Sequence, residues 1–281
     1  MTEHRFHEIE QEIVDVLNEA IDGVNKKSFE DFVLLLIHAN YDKVIAEYPT
    51  SNLSPYVIED PSDAYIDIAR QRFLTNYLNE YVDRMMHNIF IDVNIVEYEM
   101  NMQMMMYAHA WESDLLLKLL ERIAKILNGE GYQWKSVLDK KISKGNFMKD
   151  HVLKPLKNAG FELASLIEYC YDNGLRNDFA HSTYYLDFDS GMICSCNGGF
   201  LCGKRITFND WEEKFAYTVL LSYHLTHSLQ KLKDEFIDNY GTYPILLMRP
   251  LQADPTQYQK FYVHPEYDYA SQNKRVKFNF V

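Results

Sequence analysis

The chain has little of what marks a membrane-spanning, secreted or disordered protein. Its longest aliphatic run is "VLLLI" at 33–37, far short of the roughly 20 apolar residues a bilayer crossing needs, so no membrane partner is expected. The opening "MTEHRFHEIEQE" is charged and acidic and shows neither a secretory signal nor a transit peptide. Cysteine is scarce: four residues, at 170, 194, 196 and 202, clustered rather than spread as a disulfide framework. A reducing, cytoplasmic setting is therefore expected. There is no Gly-x-Ser-x-Gly and no His-Glu-x-x-His motif, and "SKGN" and "NGGFLCGK" hold glycine and lysine without the phosphate-loop pattern. Internal repeats and low-complexity segments are also missing. What is present is an ordinary globular balance, 47% apolar and 25% charged, over 281 residues. That length suits one large domain, or one domain with additions.

The net charge of −13 argues against a polyanion partner until its distribution is read. Residues 1–100 hold 20 acidic against 7 basic side chains, whereas residues 101–281 hold 21 of each. All the excess acid lies in the N-terminal third. Between Lys135 and Lys157 seven lysines face two aspartates, a local basic patch that is either a solvated surface or a phosphate-binding one. Lys140, Lys141, Lys144 and Lys149 are its candidates for RNA contact.

Hydrophobic spacing predicts a mostly α-helical protein. Phe6, Ile9, Ile13, Val16, Leu17, Ala20, Ile21 and Val24 recur at three- and four-residue steps, and Ser28 with Asp31 fits a capped second helix running to about Glu47. The proline- and serine-rich stretch 48–63 reads as a connection, followed by helix over about 64–88. A long pattern from Met100 stops at Asn128-Gly129, and "FELASLIEYCYDNGLRNDFAHSTYY" is helical again. The period then changes: "YYLDFDSGMICSCNGGFLCGKRITF" alternates and reads as a β-hairpin, before a final long helix capped by "TFND". The tail reads as short extended pieces. This gives an acidic N-terminal helical region (1–60), a helical bundle (61–240) and an extended C-terminal tail (241–281).

One stretch in that bundle carries chemistry. In "GLRNDFAHSTYY", Arg176 and His181 stand five apart with Asn177 next to the arginine. RNA can be cut without metal when its 2′-hydroxyl attacks the adjacent phosphate. That needs a group exchanging protons near neutral pH, for which histidine is suited, and a donor for the charge building on phosphorus, for which the guanidinium fork is suited. Asn177 lies one turn before His181 and could hold the imidazole or touch phosphate. Spacing alone carries little weight, since nine arginines and ten histidines in 281 residues give such a pair by chance about one time in three. The competing bland reading pairs Arg176 with Asp172 and makes His181 a terminal histidine. On an ideal helix Arg176 and His181 are about 140° apart, so they share a site only if the helix ends or distorts, or if a second subunit completes it.

The Arg-Asn-x-x-x-His form, "RNDFAH", set after an amphipathic helix and before a hairpin and a closing helix, resembles the HEPN (higher eukaryotes and prokaryotes nucleotide-binding) superfamily over residues 100–240. The resemblance implies a HEPN-like α-helical bundle, with a small β-hairpin after the motif and an extra N-terminal helical region. It further implies a metal-independent endoribonuclease, a toxin or anti-phage effector leaving a 2′,3′-cyclic phosphate. Arg176, His181 and Asn177 would be catalytic, and Ser182 and Tyr184 would contact RNA. A homodimer with a composite active site and an antitoxin or regulatory partner are implied too, with no cofactor. One branch of such toxins has a tyrosine two residues after the histidine, where this chain has Thr183. The family also includes relatives without catalysis, so the alternative is an inactive RNA- or nucleotide-binding or protein-interaction module.

Other constellations are weaker. Cys194, Cys196 and Cys202 form Cys-x-Cys-x5-Cys, but zinc needs a fourth ligand, for which Cys170 or His181 are distant candidates; buried hairpin thiols are the simpler reading. His224 and His227 have no third ligand spaced with them. The methionines at 100, 102, 104, 105 and 106 suit a core or a subunit interface.

Overall fold

The computed structural model describes residues 1–41, 46–47, 56–58, 72–80, 83, 93–140, 142–195, 204–240, 243–250, 257–268 and 273–280. Helix dominates. α1 (Glu3–Lys27) begins at a Thr2 cap that accepts from the Arg5 N–H, carries Glu3 in its first turn and Lys26 and Lys27 in its last, and so suits its own dipole. Of its predicted apolar stripe, all but the half-buried Val16 is buried. Ser28 ends α1 and caps α2 (Phe29–Leu36), its hydroxyl accepting from Asp31 N at 3.1 Å as the sequence suggested.

The second helix is much shorter than the expected run to Glu47. His38 adopts a left-handed backbone (φ 51°), and residues Ala39–Tyr41 become strand β1, paired antiparallel with β2 (Tyr56–Ile58). The cause is burial: residues 33–37 are buried on every side, so this segment has no solvent face for an amphipathic helix to continue along. Of the helix expected over 64–88, residues 72–80 are helical, with Leu74, Tyr77 and Leu78 buried.

The long pattern up to Asn128 is two helices, α3 (Val93–Ala110) and α4 (Asp114–Leu127), because Ser113 caps α4 by accepting from Leu116 N. α4 stops as predicted. Gly129 (φ 83°) lets Glu130 N reach Lys125 O at 2.9 Å, the close of a Schellman turn that only a left-handed residue permits. Next comes a composite rod: α5 (Lys144–Phe147), a π-helical stretch (Met148–Leu153) and α6 (Lys154–Ala159). α7 (Leu163–Cys170) and α8 (Asn173–His181) follow, then the long α9 (Phe208–Tyr240). Thr207 caps α9, accepting from Asp210 N at 3.1 Å, as "TFND" implied.

α1, α3, α4, α7 and α9 share one apolar core. Trp111 and Trp211 are wholly buried in it, and a ring cluster of Tyr107, Phe179 and Trp211 has centroids 4.9–5.8 Å apart. Met100, Met104 and Met106 are core residues, whereas Met105 is exposed. The hairpin becomes a three-stranded antiparallel sheet, β3 (Tyr184–Asp187), β4 (Met192–Ser195) and β5 (Lys204–Thr207). Its first turn is closed by Asp187 and Ser190, with Gly191 at φ 64°. The "NGG" that suggested a turn lies outside the described residues.

The C-terminal segment forms a second sheet in the order β6 (Ile245–Pro250), β7 (Tyr258–Asp268), β8 (Asn273–Phe280). These strands are longer than the short pieces expected. Pro265 is tolerated in central strand β7 because the β6 pairing stops at Val263, leaving one neighbour there. Among the described residues no helix is long and apolar enough to cross a membrane.

Candidate functional site

The motif occupies one short helix that is deliberately started and stopped. What reads in sequence as a continuous helix from Leu163 breaks at Tyr171 and Asp172. Asp172 takes an extended backbone and its carboxylate accepts from Gly174 N (2.9 Å) and Leu175 N (3.1 Å), capping α8. Tyr107 of α3 spans the break: its hydroxyl donates to Cys170 O and accepts from Asp172 N, both at 2.8 Å. Burial pushes the Tyr107 phenol well above its ordinary pKa, so this bridge keeps its proton. α8 ends at Ser182, whose φ of 54° turns the chain into β3.

Within α8, Arg176 and Asn177 come together and His181 does not join them. The Arg176 guanidinium donates through Nη1 to the Glu112 carboxylate and through Nη2 to Asn177 Oδ1 at 2.6 Å. Its Nε is buried without a partner. The Arg176 side chain is only 11% exposed, but Glu112 is 39% exposed, so the pair sits at a rim rather than in the core. Asp172 is thus not the arginine's ion-pair partner; it serves the helix end. Asn177 serves the arginine rather than the imidazole. His181 is the last residue of α8, exposed, and makes no hydrogen bond or ion pair with another described residue. Because α8 stays regular through His181, the angular separation of about 140° is not relieved within one chain.

Asp178 is 1% exposed and structural. It accepts from Thr183 Oγ1 at 2.9 Å and from the Ser195 hydroxyl, tying the helix end to β4. Ser182 is exposed beside His181. Tyr184 is committed elsewhere: its ring packs on Phe179 at 5.2 Å and its hydroxyl donates to Asn101 Oδ1 at 2.7 Å. The neighbouring Tyr185 is 45% exposed.

The lysine segment does approach the motif helix, at one end. Lys144 pairs with Asp114 at 2.5 Å, one residue past the Ser113 cap and two from Glu112. At Gly145 a β-carbon would lie 2.9 Å from Asn173 Oδ1, the first residue of α8, so glycine is what allows these two helix starts to touch. The α3–α4 corner therefore holds Arg176 with Glu112 on one side and Lys144 with Asp114 on the other. Lys140 and Lys149 are exposed, and Lys141 lies outside the described residues. Tyr171 lies close to this corner, and burial raises its pKa, an effect the Arg176 charge partly offsets.

Glu112, Asp114 and Asn173 were invisible as site residues in the sequence. "AWESD" signals only a helix cap, and nothing local says that its first carboxylate meets an arginine 64 residues later. Cys170 and Cys194 are buried free thiols, while Cys196 and Cys202 fall outside the described residues. Burial lifts the Cys170 thiol to about 12, and no group of three metal-ligating side chains occurs among the described residues. His224 pairs with Glu10 at 3.0 Å and His227 bonds Tyr223 O at 2.9 Å. Compared with protein-family models, with curated proteins and with solved structures, the chain matches none.

Proposed function

We propose that the chain is a metal-independent endoribonuclease of the HEPN kind. The observation that carries this reading is the placement of "RNDFAH" on one capped helix. The guanidinium is steered by Asn177 to a partly exposed corner, and the imidazole stands free in solvent at the helix end. In the reaction the RNA 2′-oxygen attacks phosphorus, the 5′-oxygen leaves, and a 2′,3′-cyclic phosphate and a 5′-hydroxyl result. His181 exchanges the protons of attack and departure, and Arg176 holds the charge on the phosphoryl oxygens. A phosphate reaching Arg176 must displace Glu112 or share the fork with it. Since α8 offers Arg176 and His181 to different sides, a homodimer in which two motif helices face one another supplies the missing geometry. RNA is then the substrate, with Lys140, Lys144 and Lys149 available for its backbone. The role that fits is a toxin or anti-phage effector restrained by an antitoxin.

A second reading has its own observation. The Arg176–Glu112 pair neutralises the charge that would hold a phosphate, as expected of a binding or assembly module on the same fold. Cleavage of total cellular RNA in EDTA separates the two, comparing wild type with His181→Ala and Arg176→Ala. The nuclease reading expects cutting that survives chelation, leaves cyclic-phosphate ends and is lost in both variants. A folded dimeric wild type that binds RNA without cutting it establishes the module instead.

A further inference from the structure

A cavity of about 270 Å³ is lined by residues of α1, α7 and α9, none of them from the α3–α4 corner. Its apolar lining is Val16 and Leu166 with the rings of Tyr169 and Tyr217, which meet edge to face at 5.0 Å. Its charged lining divides in two. Arg5 and Glu213 cancel each other in a two-pronged pair, Nε to Oε1 at 2.9 Å and Nη2 to Oε2 at 3.0 Å. Glu12 from α1 and Glu162 at the start of α7 have no cation partner among the described residues; Glu12 accepts only the Tyr217 hydroxyl, at 2.5 Å.

Two carboxylates without a cation partner among the described residues, on different helices, line one cavity together with aliphatic and tyrosine side chains, which suits a ligand that is both cationic and apolar. A metal ion is a poor fit, since no three metal-ligating side chains gather among the described residues. An anion is repelled. A linear chain with an ammonium group towards either end satisfies both carboxylates while its methylenes cover Val16, Leu166 and the ring edges. The Tyr169 ring already attracts one cation, Lys214 Nζ, at 4.7 Å from its centroid. The acidic N-terminal third, with its 20 acidic against 7 basic residues, raises the local concentration of such cations. We propose that the α1–α7–α9 cavity is a binding site for a linear aliphatic di- or polyamine, held between Glu12 and Glu162 over the Tyr169–Tyr217 wall.

The test is calorimetric titration of the full chain with spermidine and with 1,4-diaminobutane, at low and at physiological salt. Saturable binding at one site per chain is expected. It should weaken by about tenfold or more in Glu12→Gln/Glu162→Gln and by several-fold in Tyr169→Ala. It should stay unchanged in Glu19→Gln/Asp22→Asn, which removes the same charge from an exposed part of α1. Circular dichroism shows that each variant is folded. Equal weakening in both charge-matched double variants would mean diffuse attraction to an acidic surface and overturns the site. So do displacement by magnesium at matched concentration and the lack of saturable binding by the folded wild type. None of these outcomes depends on RNA cleavage.

Discussion

The Glu112 carboxylate grips Arg176 while remaining 39% exposed, so it is the group a phosphate would have to replace. Its ion pair is worth little to stability, under about 1 kcal/mol for a partly solvated pair. Its cost to anion binding is larger, because Arg176 is nearly buried and cannot turn elsewhere. Glu112→Gln keeps the hydrogen bond and removes the charge. It should tighten RNA binding by about three- to tenfold in fluorescence anisotropy, and shift the urea midpoint by no more than the worth of that pair. Unchanged or weaker RNA binding would show that Arg176 is structural. The neighbouring Asp178 shows the limit of reading such a motif by residue type. An acid inside such a motif invites a role beside the histidine; in the fold Asp178 is buried and accepts from the hydroxyls of Thr183 and Ser195. The Ser195 contact spans 17 residues and a strand turn, which no local pattern encodes.

At the scale of elements, the break between α7 and α8 sets where the motif helix begins. Tyr107 serves both sides of it from α3, with one hydroxyl as donor and acceptor. Tyr107→Phe keeps the ring among Phe179 and Trp211 and deletes both bonds. A loss of about 1–3 kcal/mol is expected in denaturant unfolding, since a buried carbonyl and a partly buried N–H lose their partner. Hydrogen exchange at Asp172 N–H should accelerate with it; an unaltered exchange rate there would mean Asp172 alone holds the break. Helix existence was legible in α1, α4, α7 and α9, where the 3.6-residue period survives. Helix ends were legible where the capping residue is local, as at Ser28, Gly129 and Thr207. They were missed at Leu36, Ala110 and Cys170. There the apolar pattern runs on across the break, and what ends the helix is burial or a side chain from a distant element. The same reasoning separates the motif from its surroundings. Arg176, Asn177 and His181 could be named from sequence, whereas Glu112 and the Lys144–Asp114 pair depend on packing at the α3–α4 corner.

For the whole molecule, one strongly pH-sensitive group among the described residues lies outside the motif. His38 is fully buried, and desolvation, with help from the Lys233 and Arg122 charges, lowers its pKa to about 3. A base depressed in the fold binds its proton more readily when unfolded. Stability is therefore full above about 6.5, the unfolded value, and falls as pH drops from there towards about 3. Each pH unit in that window is worth about 1.4 kcal/mol at most. His38→Asn removes the titration and tolerates the left-handed backbone. Its unfolding free energy should fall less steeply than wild type between pH 6.5 and 4.5, and parallel curves would show that His38 does not titrate in that range.

The seam between α1 and α9 has a consequence in time rather than in energy. Arg5 meets Glu213 across 208 residues, and the seven buried residues of α1 have much of their cover on α9. A ribosome adding about 5–20 residues per second leaves that first helix waiting some 10–40 s for its partner. During that interval an apolar stripe stands open on the growing chain, with the acidic residues of its other face as its own solubilising coat. α1 is thus sealed only once α9 has emerged, and yield in a cell will follow how well that wait is guarded.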